Sequence, residues 1–264
     1  MKKIFFSVGL SLLCIALYAQ EQSTLMLSNG LKFLGTPYIA HTLDVNSQES
    51  LVINCDEVDC TTFVEYALAM TLAAENVNTI NENDFIAWVQ KIRYRDGKID
   101  GYASRLHYLS DWIQNGVYQG FLTDVTYKQS PHMLRTEINF MSTHPNLYKQ
   151  LLRSAQDMNK IKAIEKNLSE KEIHYLPKDK LPINGLPWIQ NGDILAITTN
   201  TPGLDICHVG IAFYVQGKLC LLHASSSEKK VLVSRIALSH MMKSNEKWTG
   251  LRVIRVKKAG KTEH

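Results

Sequence analysis

The segment that most constrains the fold is a hairpin near the C-terminus. Two apolar runs, His208–Val215 and Lys218–Ala224, flank Gln216-Gly217, which reads as a two-residue turn. With that turn Val215 faces Lys218, and Gly210 falls opposite His223. Strand alternation then sets His208 and His223 on one face of the ribbon as diagonal neighbours, and sends Cys207 and Cys220 to the other. A one-residue slip in the turn would undo this pairing. Two readings of the imidazoles stand: satisfied strand residues, or a pair in which one ring orients the other.

Upstream the periodicity changes. Phe63, Ala67, Met70 and Ala74 recur at helical spacing from Cys60, and Asp59 is suited to cap that helix. Further helices are expected over Asn81–Tyr94, Ser104–Asn115 and Asn146–Asn167, and an extended segment over Leu51–Asn54. Strands Ile194–Thr198 and Leu251–Val256 join the hairpin. Early helices and late antiparallel strands give an α+β fold class. No linker rich in Pro, Gly or Ser sets the helices apart, so residues of about 80–180 are read as a helical elaboration of one domain spanning 20–264.

Lys2-Lys3, the apolar run Ile4–Leu17 and the small residue Ala19 read as a secretory leader, a signal peptide spanning 1–19. The run is short for a membrane span, and Leu12-Leu13 before Cys14 do not fit a lipoprotein signal. The mature chain is expected to be periplasmic or secreted. It keeps 27 basic and 25 acidic side chains, a balance that does not suggest nucleic-acid binding. It also keeps Cys55, Cys60, Cys207 and Cys220, an even number in an exported chain. Cys55 with Cys207 is the pair to examine for a disulfide; a bridge to Cys60 would disable it as a nucleophile.

A cysteine at a helix start meets partial positive charge from unpaired amides, which favours the thiolate. Asp59 opposes that shift, so Cys60 needs a histidine partner. His208 would take the thiol proton, His223 would orient His208, and the Cys60 amide would bind the oxyanion. The competing readings are an inert buried thiol and a zinc site of Cys60, His208 and His223; no close-spaced metal motif supports the latter, and no metal or other cofactor is expected.

Gly35-Thr36-Pro37-Tyr38, Asp59–Val64 (DCTTFV), His208–Ala212 (HVGIA) and Leu222-His223-Ala224 occur in an order that resembles the NlpC-type cell-wall peptidases of the papain-like superfamily. The segments DCTTFVE, SRLHYLSDWI and GLDICHVGIAF resemble more closely the N-acetylmuramoyl-L-alanine amidase-like branch. The resemblance implies a papain-like fold with the nucleophile helix packed on an antiparallel sheet. It also implies catalytic Cys60, His208 and His223, with Tyr38 beside the nucleophile, and peptidoglycan fragments (muropeptides) as substrate. The branch cleaves between muramic acid and L-alanine. The superfamily's commoner cut makes a γ-D-glutamyl diamino-acid endopeptidase the alternative, and a non-catalytic muropeptide binder the second.

Two departures stand out. Thr61-Thr62 replaces the main family's Ser-Gly, and no SH3-like wall-binding module precedes Cys60, which points to small soluble fragments. In SRLHYLSDWI, residues Arg105, His107, Tyr108 and Asp111 are candidate substrate contacts. The alternative is a surface helix with Tyr108 and Trp112 packed inward. Asp205 is read as finishing the loop before the His208 strand.

Overall fold

A computed structural model describes residues 23–76 and 79–257, so the leader expected over 1–19 lies outside the described residues. Seven strands form the main sheet: β1 (Leu122–Asp124), β2 (Leu176–Pro177), β3 (Ile194–Thr199), β4 (Ile206–Val215), β5 (Lys218–Ser225), β6 (Lys230–Val233) and β7 (Trp248–Val256). Their order is β6-β5-β4-β3-β7-β1, with β2 also paired to β7, and every pairing is antiparallel.

The hairpin register is the one the turn dictates, from Val215↔Lys218 through Ile211↔Leu222. Gln216 and Gly217 both take positive φ, 50° and 75°, as a turn matched to strand twist requires. One expectation is corrected at the start of β4. There the pairing runs from Ile197↔His208 to Thr198↔Ile206, leaving Cys207 as an extra residue. Such a bulge bends the strand and re-aims its side chains. Cys207 is therefore not turned away from the histidines; it lines the same cleft.

Helix α1 (residues 23–31) and α2 (Cys60–Ala73) cover one face of the sheet. Eleven of the fourteen α2 residues are buried, so this helix must be covered on all sides. Phe63 and Ala67 pack toward Val209, Ile211 and Leu222, and α3 (Glu82–Arg93) supplies Val89 and Ile92 to the same core. A Cβ on Gly30 would sit 2.6 Å from Ile211 Cδ1, so the close seat of α1 on the sheet needs glycine there. The opposite face buries Leu195, Ile197, Ala212, Leu221 and Val253 against Leu238 and Met242 of a short helix, Leu238–Ser244. With both faces covered, β3 is buried throughout and shows no polar alternation.

The elaboration departs from the sequence reading in two places. The third helix, α4, is Leu109–Tyr118 rather than starting at Ser104. Tyr102–Ser104 forms a 3-10 turn, and Arg105 then bridges to Tyr94 while the Leu106 amide donates to Arg93 O at 2.9 Å. The helix expected over Asn146–Asn167 is broken at Ser154. Its hydroxyl caps α5 (Ala155–Ser169) by accepting from the Asp157 amide at 3.0 Å. Leu51–Asn54, expected as a strand or extended segment, is no strand of a sheet: Val52 O accepts from the Arg93 guanidinium and the Asn54 amide donates to Tyr66 Oη at 3.0 Å. Among the described residues no helix is long and apolar enough to cross a membrane.

Candidate active site

Cys60 is the first residue of α2. Asp59 Oδ1 accepts from the Thr61 and Thr62 amides at 3.0 and 2.8 Å, and the Asp59 amide donates to Thr62 Oγ1 at 2.9 Å. This reciprocal capping box explains Thr62: a glycine there would supply no hydroxyl. The Cys60 sulfur lies against the Val209 amide, one residue beyond His208. Dense packing is the main cause that pushes its thiol up to about 12; the Asp59 charge pushes the same way, and contacts with Val209 and Thr61 oppose it. The resting thiol is protonated, against the expectation that the helix start favours the thiolate. Tyr38 sits beside it, half-buried, with its phenol raised to about 12 by burial and by Cys60 and Asp59.

The two imidazoles meet as the register requires. His208 Nε2 lies 2.7 Å from His223 Nδ1, with the rings at 84°. Burial lowers His208 to about 3, helped by repulsion from His223, and lowers His223 to about 4. Both rings are neutral at physiological pH. Among the described residues no hydrogen bond joins the Cys60 thiol to either ring, an arrangement common in an enzyme without substrate. Beyond the histidines opens a cleft of about 980 Å3, walled by Ser225–Glu228, Ser234–Ile236 and Ser244–Trp248. Among the described residues no three His, Cys, Asp or Glu side chains come together as a metal-ligand set, and all four described cysteines, Cys55 and Cys207 included, are free thiols.

Each of the four residues expected to contact substrate has a protein partner in the structure. Arg105 grips Glu49 through two bonds, at 3.0 and 2.6 Å, and Asp44 at 2.9 Å. His107 bonds Tyr102 O at 2.8 Å and is lowered to about 3 by burial and then by Arg105. Tyr108 donates to Glu165 at 2.7 Å and accepts from the Met141 amide. Asp111 takes two bonds from Arg95, at 3.0 and 2.6 Å. Tyr108 and Trp112 are both 2% exposed and pack inward, while the end of the helix at Val117 and Tyr118 is exposed. Arg105 and Glu49 instead tie down the loop that leads to Cys60. Asp205 is buried and accepts from the Ile206 amide at 2.8 Å, as a loop-finishing residue does. Sequence reasoning missed Trp248, whose indole stacks on His208 at 5.8 Å and 12°. In the sequence it was only an aromatic ahead of the expected strand Leu251–Val256, which the structure starts at Trp248.

A capped helix-start thiol, set against a strand that carries one of two bonded imidazoles at an open cleft, gives an α+β protein with a hydrolase-type site. The chain belongs to the AmiA-like family, described as N-acetylmuramoyl-L-alanine amidase-like, whose model matches residues 28–251. It is similar to the crystal structure of an N-acetylmuramoyl-L-alanine amidase from Bacteroides uniformis, at 61% identity and a TM-score of 0.87, over 90% of this chain and 99% of that one. A Bacteroides fragilis structure described as a xylanase matches at 60% identity and a TM-score of 0.84, over 87% and 99%. A Legionella pneumophila protein of the DUF1460 family shares the fold at 20% identity and a TM-score of 0.67, over 91% of each chain. No curated protein matches the chain. The family and the B. uniformis neighbour support a peptidoglycan amidase-like role.

Proposed function

We propose that the chain is an exported cysteine amidase that cleaves the bond between N-acetylmuramic acid and L-alanine in peptidoglycan fragments. The observation that carries this reading is the 2.7 Å bond between His208 Nε2 and His223 Nδ1, formed one residue from where Val209 meets the Cys60 sulfur. With Nε2–H of His208 donating to His223, Nδ1 of His208 keeps a free lone pair. Because thiol and imidazole rest neutral, proton transfer to that lone pair accompanies attack on the amide carbonyl. The oxyanion meets the Cys60 amide at the open end of α2, since Asp59 occupies those of Thr61 and Thr62. His208 then protonates the alanine nitrogen, the C–N bond breaks, and a thioester to the muramoyl carbonyl remains. Water, deprotonated by His208, hydrolyses that thioester and restores the thiol.

The name borne by the B. fragilis neighbour raises a glycosidase reading. That chemistry needs one carboxyl group held protonated and a second as base or nucleophile. The cleft's Glu228 and Glu246 are both exposed to solvent, which does not favour it. A defined muropeptide settles the reaction by product mass. Release of the intact L-alanyl stem peptide by the wild type, and its loss in Cys60→Ala, is expected. Cleavage after D-glutamate would replace the amidase with the endopeptidase, and no product at all would leave a binding protein. A Cys60→Ala variant working at the wild-type rate refutes the mechanism.

A further inference from the structure

His208 is held by two restraints at right angles to each other. His223 stands 84° to it, with centroids 4.9 Å apart, and fixes the ring along the nitrogen–nitrogen axis. The indole of Trp248 lies 12° from the imidazole plane, with centroids 5.8 Å apart. Backbone pairing holds the residue in place, and the indole side chain meets the Cys207 thiol. The Trp248 amide donates to Asn245 O at 3.2 Å, the residue pairs with Thr199 of β3, and a register shift follows before Gly250. Trp248 is half-buried and lines the cleft, so its place on His208 is not simply that of a core residue.

A proton arriving on His208 creates a charge that the site must accommodate. Among the described residues no carboxylate hydrogen-bonds either imidazole. The titratable groups near the ring are His223 on β5 and Cys207 on its own strand, while Cys60 at the start of α2 meets the next residue along, Val209. Across the cleft stand Glu228, Arg235, Glu246 and Lys247, all exposed and therefore screened. The face of an indole carries negative potential and attracts a cation within about 6 Å of its centre. We propose that Trp248 is a positioning residue for His208, holding the plane of the imidazole and stabilising the imidazolium formed as Cys60 attacks. This rests on the reading of His208 as the base. The step balances as a proton transfer: the S–H bond breaks, an N–H bond forms on His208, and the sulfur pair forms the bond to carbon.

The test uses the full chain, a defined muropeptide, and Trp248→Leu and Trp248→Phe variants shown to be folded by thermal melts. Trp248→Leu is expected to lower kcat about three- to tenfold with KM within about twofold. Trp248→Phe, which keeps a ring face, recovers part of the loss. The acid limb of kcat/KM moves to lower pH in Trp248→Leu, by up to about one unit. The direction follows from the roles: neutral His208 is the base, and removing a group that favours its protonated form lowers its pKa. Mere loss of packing would make the protein fail sooner in acid and move the limb the other way. The inference is overturned if KM rises at constant kcat, if Phe behaves as Leu, or if the acid limb stays or moves upward. His208→Gln is measured alongside. A wild-type rate there sinks the base assignment itself; an inactive His208→Gln beside a Trp248→Leu of wild-type kinetics overturns the positioning role alone.

Discussion

Asp59 performs two tasks that one substitution can separate. Its carboxylate caps α2 through the Thr61 and Thr62 amides, and its charge raises the Cys60 thiol. Asp59→Asn keeps an oxygen at the cap, where Asn is about as good as Asp, and removes the charge. Neighbouring residues place carboxylate and sulfur roughly 6 Å apart. At an effective dielectric of about 20–40, Coulomb's law gives about 1.4–2.8 kcal/mol, or about one to two pKa units. Asp59 is half-exposed, which favours the lower end. The thiol, raised to about 12 in the wild type, is therefore expected near 11 in Asp59→Asn. Asp59→Ala is expected to shift the thiol similarly, while losing the cap costs about 1 kcal/mol more. The assay is the pH dependence of iodoacetamide alkylation, read on the Cys60 peptide by mass spectrometry so that Cys55 and Cys207 do not contribute, with urea melts for stability. An unchanged thiol pKa in Asp59→Asn, or a loss of stability as large as that of Asp59→Ala, refutes the separation of cap and charge.

Arg105→Met strands Glu49, whose side chain is 3% exposed, and should cost about 3–5 kcal/mol in urea melts while KM stays within about twofold; a KM effect without destabilisation would restore the substrate-contact reading. Tyr108→Phe removes the hydroxyl that links Glu165 to the Met141 amide, and a loss of about 1–3 kcal/mol is expected by the same measurement. Acid sensitivity follows from His107 and His208, each lowered to about 3, and His223, lowered to about 4. All three lie below the ordinary value, so between about pH 6.5 and 4 the unfolded chain binds more protons than the native one. Their contribution is complete above about pH 7 and is lost as pH falls below 6.5, by at most about 1.4 kcal/mol per unit for each ring. Melts at pH 7 and pH 5 should differ accordingly, and His107→Asn should flatten the difference; equal stability at both values contradicts neutral burial.

What the sequence made legible is what local rules determine. The Gln216-Gly217 turn fixed the ribbon register, and that register set His208 and His223 on neighbouring strands where their rings meet. Asp59 announced the start of α2, found one residue after its cap, and the helix expected over Asn81–Tyr94 is α3, with Asn81 as its cap and Glu82 as its first residue. What stayed hidden is long-range. Arg105 reads as a ligand-seeking cation in its own segment, and its partners Glu49 and Asp44 lie 56 and 61 residues away. The bulge that turns Cys207 into the cleft depends on how β4 meets β3, which no pattern within β4 records. Trp248 was invisible for the same reason: its role exists only across the sheet, through the stack on His208.

Burial of the thiol links two facts that seem opposed. Cys55, Cys60 and Cys207 are all free, and burial raises the thiol of each. Oxidation and disulfide exchange proceed through the thiolate, so a protonated thiol resists both. On the proposed mechanism a nucleophile kept in that form is useless without a base, and His208, the base of that mechanism, is half-buried and neutral as well. Reactivity then appears only when a carbonyl is positioned to receive the sulfur as His208 receives the proton, since neither transfer is favourable alone. On the proposed mechanism the groups that touch His208, His223 along its nitrogen axis and Trp248 against its face, would govern when Cys60 reacts as much as how fast. On that logic Asp59 is a restraint on premature chemistry as well as a cap, and relieving its charge should make the thiol easier to alkylate without making the amidase faster.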